Sequence, residues 1–296
     1  MSQNDHQKFV NKEIWEKFRK RFKSHTTEAS YRSDMMEFCR YCGKCLEEVR
    51  KGDVQGYYIW MKAKIEDGRI SPLTVTKKFR ELHSFLQFAA EESGDPETYQ
   101  DFFYPYLKNM EKEKDLARSV PVQDMDALLK AASEDLAVYT ILTLMYRAGL
   151  SSTEITGLNG AENFVCYGED VFVLLDGREK PCYIPGDVWE IVMEYMERRE
   201  DYPSFFYNRR GRRLNTMYIS RMMKKYCQKA GIGHYSAEAV RNCCAFNLFA
   251  YGASPGQTAD RMGRTQQQIR RYRGVSYRGS LQRQADNLVK IRVEKP

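Results

Sequence analysis

Arg241 and Tyr272 are two residues whose types and order suit one reaction. They lie in the stretch YSAEAVRNCCAFNLFAYGASPGQTADRMGRTQQQIRRY, residues 235–272. A guanidinium grips a phosphate through paired hydrogen bonds. A tyrosine hydroxyl attacks phosphorus once its proton is withdrawn. A helix carrying Arg241, a turn at Gly252, a Met262-Gly263-Arg264 step and a tyrosine set among arginines form a frame for phosphoryl transfer. Arg241 has a second reading, as an ion pair with Glu238 three residues earlier on the same helix. Outside that frame Tyr272 reads as a surface tyrosine among arginines, and Tyr277 is a nearby alternative nucleophile.

Such residues need a scaffold, and 296 residues allow two modest domains. In the N-terminal part, Tyr31, Met35, Phe38 and Tyr41 recur at helical spacing. Asp53 predicts the cap of a helix through Tyr57, Ile59, Trp60 and Ile65 that stops at Gly68. Ser71-Pro72 signals the next helix start. That helix carries Val75, Phe79, Leu82, Phe85, Leu86 and Ala89 on one face, and Thr74, Lys77, Lys78 and Arg80 on the other. A short helix with Phe102, Phe103 and Tyr106 closes the unit. Residues 1–107 therefore read as a helical domain. Residues 108–120, KNMEKEKDLARSV, read as a charged linker. Residues 121–296 read as a mixed α+β, mostly helical domain. Within it FVCY, VFVLL and CYI, separated by Gly168 and Gly177, form a small antiparallel sheet. Two lobes on a basic linker can close around a duplex as a clamp.

The net charge is +7, with 42% hydrophobic and 29% charged residues. Basic residues concentrate at Arg209, Arg210, Arg212, Arg213, Arg221, Lys224, Lys225 and Lys229, and again from Arg261 to Arg283. The bias toward arginine points to phosphate and to nucleic acid as a partner. No apolar run reaches membrane-spanning length. The first residues, MSQNDHQKFVNKEIWEKFRKRF, lack an apolar signal core. A cytoplasmic protein without a membrane partner is the expectation. Of the eight cysteines, Cys39, Cys42 and Cys45 are evenly spaced, but no fourth ligand follows them and no histidine sits at ligand spacing. They read as reduced thiols on a helix, so no metal and no cofactor are expected.

Several segments, in order, carry a family resemblance. TEASYRSDMMEFCRYC and ISPLTVTKKFRELHSFLQFAAE resemble the core-binding domain of the tyrosine recombinases (phage integrases, Xer-like). AGLSSTEITGL resembles the segment of their first catalytic arginine, DGREKPCYIP their lysine-bearing hairpin, and YNRRGRRLNTMYISRMMKKYCQKAGI the approach to their second arginine box. The likeness covers roughly residues 25–285. It implies a mainly α fold, with a helical, SAM-like N-terminal domain and a C-terminal domain of the recombinase catalytic type. It also implies a metal-free reaction in which a tyrosine attacks a DNA phosphodiester and forms a 3′-phosphotyrosyl bond. Two arginines steady the phosphate, and a lysine protonates the leaving 5′-oxygen.

Carried over position by position, the resemblance implies an altered set. Ser151 follows Gly149-Leu150 where the family has its first arginine. Arg178 takes the lysine position, with Lys180 two residues on. Arg241 is kept, with Glu238 in the place of a histidine. Arg264 replaces the histidine of the family's Leu-Gly-His, and Tyr272 fits the nucleophile. Arg147, one turn before Ser151, is a candidate replacement arginine or a DNA-facing residue. Phosphate contacts are expected from Lys77, Lys78, Arg80, Arg147, Arg209, Arg210, Arg212, Arg213, Arg270, Arg271 and Arg273. Losing one preorganised donor to a developing oxyanion costs roughly 3 kcal/mol, so the expected function is duplex DNA binding with weak or absent strand cleavage. An active but divergent recombinase using Tyr272, Arg241 and Lys180 is the alternative, and a protein–protein module that kept only the fold is a third. The C-terminal tail SLQRQADNLVKIRVEKP is expected to support self-association on DNA.

Overall fold

The computed structural model describes residues 10–22, 24–110 and 117–272. The chain divides into two compact units, Met1–Lys114 and Asp115–Pro296. The architecture is mainly α with one small antiparallel sheet.

The first unit holds α1 (Lys12–Arg19), α2 (His25–Cys42), α3 (Lys51–Glu66), α4 (Pro72–Ser93) and α5 (Tyr104–Met110). The Ser71 hydroxyl accepts the Thr74 N–H at the start of α4, and Gly94 ends that helix at φ 68°. Asp53 does not cap α3. The helix begins at Lys51, and Asp53 in its first turn accepts the Arg50 N–H at 2.8 Å. The apolar faces meet in an aromatic core. Phe38 contacts Tyr57 and Phe103 at 5.0 Å each, and Phe79 contacts Phe103 at 5.3 Å. These edge-on contacts suit the ring quadrupoles.

The polar face of α4 is not simply solvated. Lys78 holds Asp34 at 2.7 Å and Glu37 at 2.8 Å, and its side chain is 11% exposed. Lys77 reaches Ser30, Asp34 and Glu81. Asp34 on α2 is itself buried. Burial would lower the Lys78 pKa, but the two carboxylates outweigh it and raise it. Lys78, an expected phosphate contact, thus stands between two carboxylates. Its ammonium neutralises a buried carboxylate and ties α4 to α2. Lys77 shares that duty from a half-exposed position, while Arg80 lies on the exposed surface.

The second unit begins with α6 (Val122–Ala132) and α7 (Leu136–Thr143), which runs on through a π-helical turn at Leu144–Ala148. Then follow α8 (Ser152–Gly157), strands β1 (Phe164–Tyr167), β2 (Asp170–Val173) and β3 (Cys182–Ile184), and α9 (Gly186–Arg198). The chain continues with α10 (Thr216–Lys229), α11 (Ala237–Ala250), α12 (Pro255–Met262), α13 (Gln266–Ile269) and a 3₁₀ turn at Arg270–Tyr272. The sheet is antiparallel in the order β1-β2-β3, with Phe164 opposite Val173 and Phe172 opposite Tyr183. Phe164, Val171, Val173, Cys182 and Ile184 turn inward to the core. Part of the expected linker is built into this unit. Ala117 donates to the Arg271 carbonyl, and Val120 is buried with its N–H against Cys243. No helix among the described residues is long and apolar enough to cross a membrane.

Removing one partner of a buried ion pair leaves the other charge uncompensated. Lys78→Met is therefore expected to destabilise the first unit by about 3–5 kcal/mol. A urea melt should show a lowered midpoint with an unchanged slope, and an unaltered midpoint would show that Lys77 alone suffices as the counterion of Asp34.

Candidate functional site

Arg241 lies on α11, the helix opened by the Ser236 hydroxyl accepting the Ala239 N–H. Ala239 to Phe246 are all buried, so the arginine points into the unit and is 5% exposed. Its Nε donates to the Gly149 carbonyl at 2.8 Å and its Nη2 to the Met262 carbonyl. Both carbonyls come from places where a helix stops. Gly149 ends the π turn at φ 74°. A Cβ there would sit 2.9 Å from the Met262 sulfur and 3.1 Å from that of Cys244. Gly263 ends α12 at φ 56°, and a Cβ there would sit 2.6 Å from Arg178 Nε. Two glycines thus supply the left-handed backbone and the space that let arginines converge.

Two carboxylates lie among these arginines. Glu238 approaches Arg241 Nη1 at 3.6 Å and also takes a hydrogen bond from Arg264 Nη2. Glu154 binds Arg178 Nε at 2.5 Å and lies 3.9 Å from Arg241. Glu154 accepts the Ser151 N–H at 2.6 Å, and the Ser151 hydroxyl accepts the Glu154 N–H at 3.3 Å. Ser151, at the position where the resemblance places an arginine, is thus the cap of α8 and carries no charge. Burial would push the Glu154 carboxyl up, but Arg178 and the Ser151 amide outweigh it and hold it below the usual carboxylate range. Burial also lowers the Arg241 pKa, against the pull of Glu238 and Glu154, yet a guanidinium remains charged.

Beside this cluster an open cleft of about 310 Å³ is lined by Gly177, Arg178, Lys180, Asp260, Gly263 and Arg264 among others. Arg178 Nη2 and Arg264 Nε are buried and have no hydrogen-bond partner among the described residues. Orphaned buried donors are rare and costly. Both residues line the cleft, while these two nitrogens are themselves covered by protein atoms. Lys180 stands at the rim, where its ammonium meets Asp260 at 2.8 Å; that hydrogen bond raises its pKa.

Tyr272 is fully buried. Its hydroxyl donates to Asn242 Oδ1 at 2.8 Å, and Asn242 Nδ2 donates to the Arg118 carbonyl at 2.8 Å. Phe246 packs edge-on against the ring at 5.5 Å. Burial raises the hydroxyl pKa, with Glu238 adding to the rise and Arg264, Arg271 and Arg241 opposing it. The tyrosine therefore feels the arginine cluster but bonds to an amide beside it.

Other expected residues lie apart or serve the fold. Arg147, the candidate replacement arginine, turns its guanidinium to Asp187 at 3.0 Å in a largely exposed pair. Arg213, exposed like its neighbours, donates to the Thr156 and Leu158 carbonyls at the end of α8 and to Asn159. Arg209, Arg210 and Arg212 are exposed on a tight turn, where Asn208 Oδ1 collects the backbone N–H groups of Arg210 and Arg212. Arg271 is exposed, with its guanidinium 5.6 Å from the Tyr272 ring centroid. The Arg270 side chain, Arg273, Tyr277 and the C-terminal tail lie outside the described residues. Glu154, Asn242 and Asp260 complete the site without belonging to any motif that marked the other residues. Only Glu154 had a signal, the S-x-x-E capping pattern from Ser151.

No protein-family model matches the chain. Its curated relatives include tyrosine recombinase XerC of Roseiflexus sp. (strain RS-1), 21% identical over 257 residues, covering 81% of this chain and 80% of that protein. Tyrosine recombinase XerC of Corynebacterium efficiens is 24% identical over 257 residues, covering 81% of this chain and 78% of the relative. Among solved structures, the Tn1549 transposon integrase in complex with a circular intermediate DNA matches with a TM-score of 0.72 at 15% identity, over 92% of this chain and 98% of that one. A lambda integrase dimer bound to a core site matches at 0.67 and 13% identity, over 96% and 80%. These likenesses share the helical fold and the small sheet described above. Along four-fifths of its length the chain is similar to tyrosine recombinases, and it shares the fold of the integrases.

Proposed function

We propose that this protein binds duplex DNA with a backbone phosphate seated in the cleft at Arg178, Lys180 and Arg264, and that it cleaves the strand weakly or not at all. The observation that carries this reading is the pairing of the arginines with resident carboxylates. Glu238 engages Arg241 and Arg264, and Glu154 engages Arg178. A phosphate entering the cleft meets donors that are already partly satisfied, beside two negative charges. Two further features agree with weak cleavage. Ser151 supplies no positive charge, and the Tyr272 hydroxyl is buried against Asn242 rather than facing a guanidinium.

DNA as the ligand is supported by the basic lining of the cleft at Arg178, Lys180 and Arg264 and by the exposed arginine turn at 209–212. It is also supported by the structural neighbours, which include integrases complexed with DNA. A lambda integrase tetramer on a Holliday junction makes self-association on DNA a natural extension. Assembly through the C-terminal tail is part of this proposal.

Affinity for duplex DNA is expected to fall steeply with added salt, because each neutralised phosphate releases counterions. Arg209→Glu with Arg212→Glu should weaken binding across sequences and flatten the salt slope. Binding that ignores salt, or no binding to any duplex, would exclude the DNA reading.

Cleavage is tested on a nicked suicide duplex carrying a sequence the protein selects from random DNA. The wild-type protein should give at most a trace of covalent adduct, and Tyr272→Phe should remove that trace. Ser151→Arg combined with Glu238→His should raise adduct yield by orders of magnitude, from roughly 3 kcal/mol per restored donor. Efficient trapping by the unaltered protein would promote the active recombinase instead.

A further inference from the structure

The outer face of the small sheet is an aromatic surface that the cleft does not use. Alternation along the strands places Val165 and Tyr167 of β1, Phe172 of β2 and Tyr183 of β3 on the side away from the core. Their rings form a ladder. Tyr167 meets Phe172 at 5.8 Å and 70°, and Phe172 meets Tyr183 at 5.6 Å and 68°. Tyr167 is 66% exposed and Tyr183 37%. The rings meet edge to face, and the outermost of them, Tyr167, keeps most of its surface in solvent. Solvated apolar surface of this kind, gathered on one short sheet, calls for an occupant.

Charge indicates which occupant. The Arg261 guanidinium lies 5.1 Å from the Tyr183 ring centroid and donates to the Tyr183 carbonyl. The Arg261 carbonyl accepts from Arg178 Nη1 at 2.8 Å, so one residue joins the ladder to the cleft. The ladder thus starts beside Arg261, whose carbonyl is held by Arg178, and ends at the hairpin tip beside Glu169 and Asp170. A polyanion carrying flat rings fits that gradient, with its backbone at the cationic end and its rings along the ladder. An aliphatic helix from a protein partner would match the apolar surface but would make no use of the cations.

We infer that the Tyr167–Phe172–Tyr183 ladder is a stacking platform for unpaired nucleobases of a DNA strand whose backbone lies at the Arg178–Arg261 end. Bases stack on aromatic faces without regard to sequence, and a neighbouring arginine adds cation–π attraction. Paired bases inside a duplex hide those faces, so the platform distinguishes a melted or frayed segment from an intact one. The inference rests on the DNA-binding reading above and extends it to a second, single-stranded element of the same ligand.

The experiment compares, with the full-length protein, a blunt duplex and the same duplex bearing a short thymidylate tail. Fluorescence anisotropy reads the affinities. The tail should tighten binding. Tyr167→Ala and Tyr183→Ala should each remove about fivefold or more of that gain and leave the blunt duplex unaffected. Tyr167→Phe and Tyr183→Phe keep the ring and should keep the gain. Equal affinity for blunt and tailed duplexes, or alanine variants that lose both equally, overturns the platform while the duplex reading stands. If no duplex binds, the duplex reading fails, and single-stranded oligothymidylate decides the platform alone. Binding that the alanine variants lose would support it, and no binding would overturn it. Alanine variants that change the sedimentation of the free protein without altering the tail effect would assign the face to a protein interface and overturn the proposal.

Discussion

A guanidinium enclosed as fully as that of Arg241 is stable only where the surrounding chain replaces the water it has lost. Desolvating a charge of this size costs several kcal/mol even after the protein relaxes. Two backbone carbonyls and two carboxylates compensate for it. Each partner imposes a local requirement. The Gly149 carbonyl is presented by a π-helical turn that ends in left-handed backbone, and the Met262 carbonyl by the last turn of α12. Glu154 is aimed by the cap it forms with Ser151, and Glu238 by its place one turn before Arg241. Helix ends, glycines and capping residues in the second unit are thus arranged around one buried charge.

The same arrangement constrains chemistry. At an effective dielectric of about 20, unit charges 4 Å apart interact by roughly 4 kcal/mol. A carboxylate at that range opposes a phosphate as strongly as an arginine attracts it. Arg178, Arg241 and Arg264 are countered by Glu154 and Glu238, so the cluster carries far less positive charge than its arginines suggest. A histidine at position 238 could donate to a phosphate, whereas Glu238 only accepts, and from the arginines themselves. Stability of the fold and stabilisation of a developing oxyanion therefore draw on the same guanidinium protons.

Arginine and lysine serve three purposes in this chain. Lys78 and Arg241 neutralise or occupy buried positions. Arg213 and Arg147 act as struts, one on helix-end carbonyls and one on a carboxylate. Arg209, Arg210 and Arg212 face solvent on a turn. The net charge of +7 sums over all three purposes and cannot separate them.

Period and punctuation in the sequence were enough for the elements. The 3.6-residue spacing of Val75, Phe79, Leu82 and Leu86 specified the buried face of α4, and Ser71-Pro72 its start, because both signals act within one or two turns. The short β-prone runs FVCY, VFVLL and CYI, with glycines between, specified the small sheet for the same reason. The order of the family-like segments located Ser151, Arg178, Glu238, Arg241, Arg264 and Tyr272 along the chain. Partner choice was decided only in three dimensions. Glu154 meets Arg178, Asp260 meets Lys180, and Asp187 meets Arg147 across separations no periodicity spans. Asn242 lies next to Arg241 in sequence yet bonds to Tyr272 through the fold of α11 against the last turn. A side chain's charge is written in its residue type; whether that charge faces a ligand or a neighbour depends on which distant helix ends are packed beside it.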